Sequence, residues 1–269
     1  MAYRNILVSL GIDPLSDNRL DAAVALATAH KARLVGCFTS IWSDVWFRDR
    51  HVVTLERAEA VLDEVAERTQ ATFDTTCVAN QVRGTFQRDR KHALKTDIVA
   101  AAALSADLCV LSRGEKAGLD EGDIFETLPE ALIFAASCPV LLVPEDKRRS
   151  LGRNVLVAWK ARREAARALR DALPMLHAAE QVTVLSVGDG DSVRDAVDFL
   201  DAHQIRAKLV IDPSPDAAAG DAILSQAQRL GCDMLIMGAY GHTRIRELVL
   251  GGVTRHVLIN AGIPLLLSH

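Results

Sequence analysis

The 269-residue chain has few aromatic residues and no surplus of positive charge. Aromatic side chains make up 4% of it and the formal net charge is −4, so it lacks the stacking platforms and basic surface of nucleic-acid-binding proteins. It also lacks an apolar run of about 18 residues, which a membrane-spanning helix needs. We therefore expect no nucleic acid and no membrane among its partners.

Signals for export and for disulfide bonding are also missing. Residues 2–8 enter a strand-like run at once, without the long apolar region of a signal peptide. The five cysteines are odd in number and scattered, and most lie in apolar runs where a reduced thiol packs as a small hydrophobic group. These features predict a cytoplasmic protein.

Motifs of common catalytic and metal sites are absent from the sequence. It has no G-x4-G-K-[ST] phosphate loop, no G-x-S-x-G nucleophile elbow and no Cys-x-x-Cys pair. The eight histidines show neither H-x3-H nor H-E-x-x-H ligand spacing. The sequence therefore identifies no catalytic residue and no metal ligand.

The two halves of the chain carry the same landmarks in the same order. A polar, punctuated stretch at residues 145–153 separates them, which predicts a first domain at 1–144 and a second at 154–269. The first copy is longer, because its helical pattern at about 51–80 exceeds the one at about 191–203. The matched strand-like runs are residues 5–10 and 154–159, 106–111 and 232–237, and 138–143 and 263–267.

Short apolar strands alternate with amphipathic helical segments in each copy. Strands that are apolar throughout are typical of parallel sheets covered on both faces, and the alternation indicates βαβ units with right-handed crossovers. The predicted fold class is α/β, with one open parallel sheet in each domain. Ligands of such sheets bind beyond the carboxyl ends of the strands.

A glycine-rich segment follows a strand-like run in the second copy. That run ends at Met237, and the segment reads G-x2-G-x9-G-G through Gly238, Gly241, Gly251 and Gly252. Glycine allows sharp turns and close approach to a ligand, and a helix start offers free N–H groups to a phosphate. We interpret the segment as a phosphate-binding cradle, although turn glycines alone would also explain it.

Polar residues in and after the segment fit the same interpretation. Thr254 can give its hydroxyl to a phosphate or cap the following helix. His242 and its basic neighbours suit a polyphosphate, although charges on a loop are usually solvated. Both alternatives stay open for both residues.

These motifs resemble the universal stress protein family, in a tandem, two-domain form. The family signature is G-x2-G-x9-G-[ST], and Gly252 stands where the family has Ser or Thr. The resemblance implies five-stranded domains like those of adenine nucleotide alpha-hydrolases, and ATP, with Mg²⁺ accompanying the nucleotide, as the cofactor of the second domain. It implies that Ala158 and Val187 line a base pocket, with Met237 and Val253 flanking the glycines. It also implies pairing of the two domains within one chain, and homodimerisation.

Two features depart from the family pattern. The family has an acid at the end of the first strand, where the second copy has Lys160 and the first has Gly11, with Asp13 two residues on. Lysine has no hydrogen-bond acceptor, so it cannot bind a ribose diol as an acid does. The first copy has no G-x2-G-x9-G segment, and the acids of its loop at 113–126 would repel phosphate. That loop is either solvated or holds a divalent cation, and we expect no nucleotide in the first domain.

The leading hypothesis is a stress-response protein that binds ATP, or another phosphorylated small molecule, in its second domain. Ligand binding would shift its population of conformations toward one that binds a protein partner of unknown identity. One alternative is a nucleotide-free scaffold for dimerisation. The other is slow ATP hydrolysis, for which the sequence identifies no base, so that Asp212 or Asp233 would be guesses.

Overall fold

The computed structural model describes residues 2–40, 54–88, 95–113, 128–145, 150–188, 190, 193–240 and 252–269. These residues form two compact units. The first unit contains the described residues up to 145, and the second contains those from 150 onward. Four residues of the predicted linker, 146–149, lie outside the described residues.

The first unit is a five-stranded sheet with helices between its strands. The strand order is β3-β2-β1-β4-β5, and neighbouring strands are parallel throughout. Its elements are β1 (Asn5–Leu10), α1 (Ser16–His30), β2 (Arg33–Phe38), α2 (Leu55–Ala79), β3 (Gly84–Arg88), α3 (Lys95–Ala103), β4 (Leu108–Ser112), α4 (Leu128–Ala135) and β5 (Val140–Val143).

The second unit repeats this architecture. Its strand order is β8-β7-β6-β9-β10, again parallel throughout. A 3-10 turn at Asp216–Ala218 precedes α8. The other elements are β6 (Asn154–Trp159), α5 (Arg163–Asp171), α6 (Leu173–Leu176), β7 (Gln181–Val187), α7 (Val193–Ala202), β8 (Ala207–Asp212), α8 (Ala219–Arg229), β9 (Met234–Gly238), α9 (Gly252–Asn260) and β10 (Leu265–Ser268). The predicted α/β fold, with one open parallel sheet per copy, is confirmed.

The same hydrogen bonds hold the amino ends of the central strands in both units. In the first unit the Asp107 carboxylate accepts the backbone N–H of Asn5 (2.9 Å) and of the residue before it (2.7 Å). In the second, Asp233 accepts the N–H of Asn154 (2.9 Å) and of the residue before it (3.1 Å). The predicted repeat therefore extends to individual side chains, and it places Asn5 and Asn154 at equivalent positions.

The strands are apolar because both faces of each sheet are covered. Every residue of β4, β5 and β10 is buried. Burial raises the pKa of the fully buried Cys109 thiol, and it raises the pKa of Cys77 and of Cys232 to about 11. These thiols therefore stay protonated and pack as small hydrophobic groups. None of the described helices is both long and apolar enough to cross a membrane.

Candidate functional site

The carboxyl edge of the second sheet has a topological switch point between β6 and β9. The chain passes from β6 to β7 on one side and later returns to β9 on the other, which leaves a crevice beyond the strand ends. Ala158 pairs directly with Met237 across these two strands. Val187 ends the neighbouring β7. The structure thus brings together three of the predicted site residues, all apolar, at one edge.

Gly238 is explained by packing rather than by a ligand. A Cβ at this position would lie 2.4 Å from the backbone nitrogen of Ala165 and 2.5 Å from the carbonyl carbon of Glu164. The first turn of α5 therefore lies directly against the end of β9, and only a residue without a side chain allows this approach. The prediction that Gly238 contacts a ligand stays a prediction.

Helix α9 begins close to this edge. Gly252 is its first residue and is exposed, and a Cβ added there would meet nothing within 4 Å. Val253 follows and is half-buried. The first-turn N–H groups of a helix lack partners within it and attract anions. Gly241, His242 and Gly251, which were predicted to complete the cradle, lie outside the described residues.

Thr254 connects α9 to the end of β9. It is buried, and its Oγ1 accepts the backbone N–H of Tyr240 at 3.3 Å. Tyr240 has a φ of 57°, so the chain turns through the left-handed region two residues after β9. Because Thr254 lies inside the first turn rather than before it, the alternative that it caps the helix is wrong. Its contact holds the first turn of α9 beside the carboxyl end of β9.

Lys160, where an acid was expected, pairs with a carboxylate from another part of the unit. Its Nζ lies 2.6 Å from Oδ2 of Asp216, at the start of the 3-10 turn. A Cβ at Gly188 would lie 3.7 Å from Oδ1 of Asp216, which places this carboxylate near the end of β7. Both side chains are more than half exposed, so the pair contributes only about 0–1 kcal/mol. The pair thus places acceptor oxygens of Asp216 directly beside the Lys160 ammonium.

Neither of the two candidate bases is favoured by its surroundings. Asp233 is at the amino edge of the sheet, opposite the crevice, where it binds backbone N–H groups. Asp212 ends β8 and accepts from the N–H of Ser214 (3.0 Å) and Nε2 of Gln226 (2.7 Å). These hydrogen bonds lower the pKa of Asp212, which weakens it as a base.

His256, one of the basic residues near the glycine segment, has a structural role. Its Nε2 lies 2.9 Å from Oδ1 of Asp221 on α8. A Cβ at Gly220 would lie 2.7 Å from the ring, so the imidazole packs against the first turn of α8. This histidine therefore joins α8 to α9.

The first unit has a buried polar network at the corresponding edge, which sequence reasoning missed. Arg19 of α1 is 5% exposed and donates from Nε to the carbonyl of Ser9 (2.7 Å) and from Nη1 to Oγ of Ser112 (3.0 Å). It also forms a bidentate pair with Asp13, at 2.9 and 2.6 Å. One sequence signal existed: Arg19 lies four residues before Ala23, on the buried stripe of α1.

The charge of Asp13 follows from these contacts. Burial acts to raise the pKa of Asp13, but hydrogen bonds and positive charge from Arg19, with the N–H of Leu15, outweigh it and lower that pKa. The side chain stays ionised and 43% exposed. The acidic residues of the loop at 113–126, from which we predicted that the first domain takes no nucleotide, all lie outside the described residues.

Comparison with known proteins identifies the sequence relationship in the second unit. A model of the universal stress protein family matches residues 216–269. Over 48 residues the chain is 46% identical to a universal stress protein of Synechocystis sp.. That stretch spans 18% of this chain and 17% of the relative.

Solved structures match nearly the whole chain. A universal stress protein from Archaeoglobus fulgidus has a TM-score of 0.77 at 16% identity, covering 98% of this chain and 97% of that one. A protein of unknown function from Pseudomonas aeruginosa has a TM-score of 0.64 at 19% identity, covering 99% and 92%. At these identities the likeness concerns the fold. The chain therefore resembles universal stress proteins in sequence over residues 216–269 and in fold over nearly its whole length.

Proposed function

We propose that the second unit binds ATP or a related phosphorylated small molecule. The observation that carries this proposal is the position of the first turn of α9 beside the apolar residues of the switch point. Thr254 holds that turn at the carboxyl end of β9, where Ala158 and Met237 pair and the neighbouring β7 ends at Val187. A phosphate at the helix start and an apolar group such as a base against these side chains would suit this arrangement.

The Lys160–Asp216 pair bears on which ligand is bound. The Asp216 carboxylate accepts hydrogen bonds and the Lys160 ammonium donates them. The part of the site next to this pair therefore suits a hydroxyl-bearing group. A polyphosphate at the other end would carry Mg²⁺ with it, since this cation binds mainly to phosphate oxygens and water. We propose one ligand per chain, bound in the second unit, because Arg19 and Asp13 fill the corresponding edge of the first.

A regulatory role is the functional consequence that we propose. A ligand that binds one conformation better than another shifts the population toward it, and a protein partner can recognise that conformation. We place this activity in the cytoplasm, with the two domains paired within the chain and homodimerisation as a further step. Slow ATP hydrolysis is the weaker alternative, because Asp233 lies at the opposite edge of the sheet and hydrogen bonds lower the pKa of Asp212.

Isothermal titration with ATP, ADP, AMP and cyclic AMP tests the proposal directly. We expect a stoichiometry of one per chain and affinity that falls with the loss of phosphates. Folded protein that gives no heat with any of the four contradicts nucleotide binding and favours the scaffold alternative. Phosphate release from wild type and from Gly252→Asp separates binding from hydrolysis, because equal rates would indicate a contaminating ATPase.

A further inference from the structure

Equivalent positions at the carboxyl edges of the two units differ in chemistry. Counted from the equivalent Asn5 and Asn154, Ser9 corresponds to Ala158. Ser112 and Gly238 are the last residues of β4 and β9. The second unit thus has small side chains with no hydrogen-bonding groups at its switch point, whereas the first has hydroxyl groups there.

A buried guanidinium occupies the crevice of the first unit. The same count makes Arg19 the equivalent of Ala168, and both are buried. Arg19 spans the switch point, because it donates to Ser9 of β1 and to Ser112 of β4. Positive charge therefore lies where the second unit has a methyl group.

The Asp13 carboxylate accepts hydrogen bonds from this guanidinium in the way that an anionic ligand would. Two parallel N–H···O bonds of 2.9 and 2.6 Å are the fork arrangement by which arginine recognises carboxylates and phosphates. Asp13 belongs to the loop between β1 and α1, and it is the more exposed partner of the pair. It closes the site from the solvent side.

Hydrogen bonds hold the loop in this closed position. The N–H of Leu15 donates to Asp13 Oδ1 at 3.1 Å, and the N–H of Ile12 donates to Ser40 Oγ at 2.7 Å. Gly11 N–H donates to the Ser16 hydroxyl at 3.1 Å. The carboxylate is thus presented to Arg19 by an ordered loop.

We propose that the first unit contains an anion site on Arg19 that its own Asp13 occupies. Removal of the Asp13 charge leaves a buried cation without its counterion, which is strongly unfavourable. A small oxyanion of the right geometry, such as phosphate or acetate, then replaces the missing carboxylate. In the wild-type chain Asp13 excludes such anions, so this unit contributes no phosphate binding of its own.

The test compares the thermal unfolding of four proteins in chloride, phosphate and acetate at constant ionic strength. They are wild type, Asp13→Ala, the double variant Asp13→Ala/Arg19→Met, and Asp63→Ala, a matched control that removes the partner of Arg88 away from the switch point between β1 and β4. The alanine removes the Asp13 carboxylate and opens the space that it fills beside Arg19. The methionine replaces the buried cation with an apolar side chain of similar length.

We expect Asp13→Ala to have a lower Tm in chloride and to gain about 3–6 °C more than wild type at an anion concentration of about ten times Kd. Asp63→Ala and the double variant should gain no more than wild type. A gain in wild type, or in the double variant, equal to that of Asp13→Ala would overturn the proposal, as would no gain in Asp13→Ala. Should Asp13→Ala be unfolded in chloride, refolding by phosphate or acetate is the expected result, and its failure to refold is the contrary one.

The outcome does not depend on the second unit. Any phosphate bound near α9 raises the Tm of all four proteins by the same amount. It therefore does not affect the difference in Tm between a variant and wild type. Acetate provides a second, independent test, because it is a monocarboxylate like the Asp13 side chain. The proposal for Arg19 therefore stands or falls independently of ligand binding by the second unit.

Discussion

Replacement of Gly252 by aspartate tests whether phosphate binds at the start of α9. Gly252 is exposed, and a Cβ there meets no atom within 4 Å, so the new side chain fits without rearrangement. Aspartate in a first helical turn is favourable for the helix, by about 0.3–1 kcal/mol. We therefore expect Gly252→Asp to be at least as stable as wild type, so that any loss of binding is not a loss of folding.

The expected loss of affinity follows from Coulomb repulsion. A carboxylate in the first turn would lie about 5 Å from a phosphate bound to the same turn. At an effective dielectric constant between about 20 and about 80, one pair of like charges at that distance costs about 1–3 kcal/mol. This energy weakens binding by about 5-fold to about 150-fold.

Titration of ATP into Gly252→Asp, Gly252→Asn and Gly252→Ser measures the effect. Asparagine matches aspartate in shape without the charge, and serine introduces the hydroxyl that the family signature has at this position. Only the aspartate variant should bind much more weakly, and its deficit should shrink as salt is added, because salt screens exposed charges. Equal losses in the aspartate and asparagine variants, or none in either, would refute the placement of phosphate at this turn.

Three further changes test other parts of the structure. Gly238→Ala should destabilise the protein by about 1–3 kcal/mol in urea unfolding, because its Cβ would overlap the backbone of Ala165; unchanged stability would contradict the close packing of α5 on β9. The lowered pKa of Asp13 implies stability that is present above its unfolded pKa and is lost as pH falls through its folded pKa. Wild type should therefore lose more stability than Asp13→Asn between about pH 5 and about pH 2, and identical acid profiles would argue against the ion pair. Lys160→Ala should change stability by less than about 1 kcal/mol, since the pair with Asp216 is exposed. The same change should alter the ratio of the affinities for ATP and 2′-deoxy-ATP, and an unchanged ratio would show that this pair is not part of the ligand site.

The fold could be read from the sequence because its signals are local. Alternating strand-like and helical periodicities predicted the parallel sheets, and matched runs predicted the repeat. The long helical pattern near residues 51–80 corresponds to α2 at Leu55–Ala79, and the pattern near 191–203 corresponds to α7 at Val193–Ala202. These features depend on neighbours a few positions apart, which a sequence displays directly.

The site was predictable only in part. The positions of Ala158 and Met237 at one edge follow from strand order, and the structure places them in register. The sequence does not show why position 238 needs a glycine. A Cβ there would overlap the backbone of α5, which lies far earlier in the chain. The partner of Lys160 was missed for the same reason, since Asp216 follows a different strand.

The sequence by itself determined the duplicated α/β architecture and the difference between the two copies in their glycine segments. The tertiary structure alone decided which side chains meet at each carboxyl edge. Arg19, Asp13 and Ser112 form one network, although Ser112 is distant in sequence, because β1 and β4 are neighbours in the sheet. Periodicity requires only that a residue face the sheet, whereas the order of the strands sets its partners. Those partners put an ion pair at the switch point of the first unit and small apolar residues at that of the second.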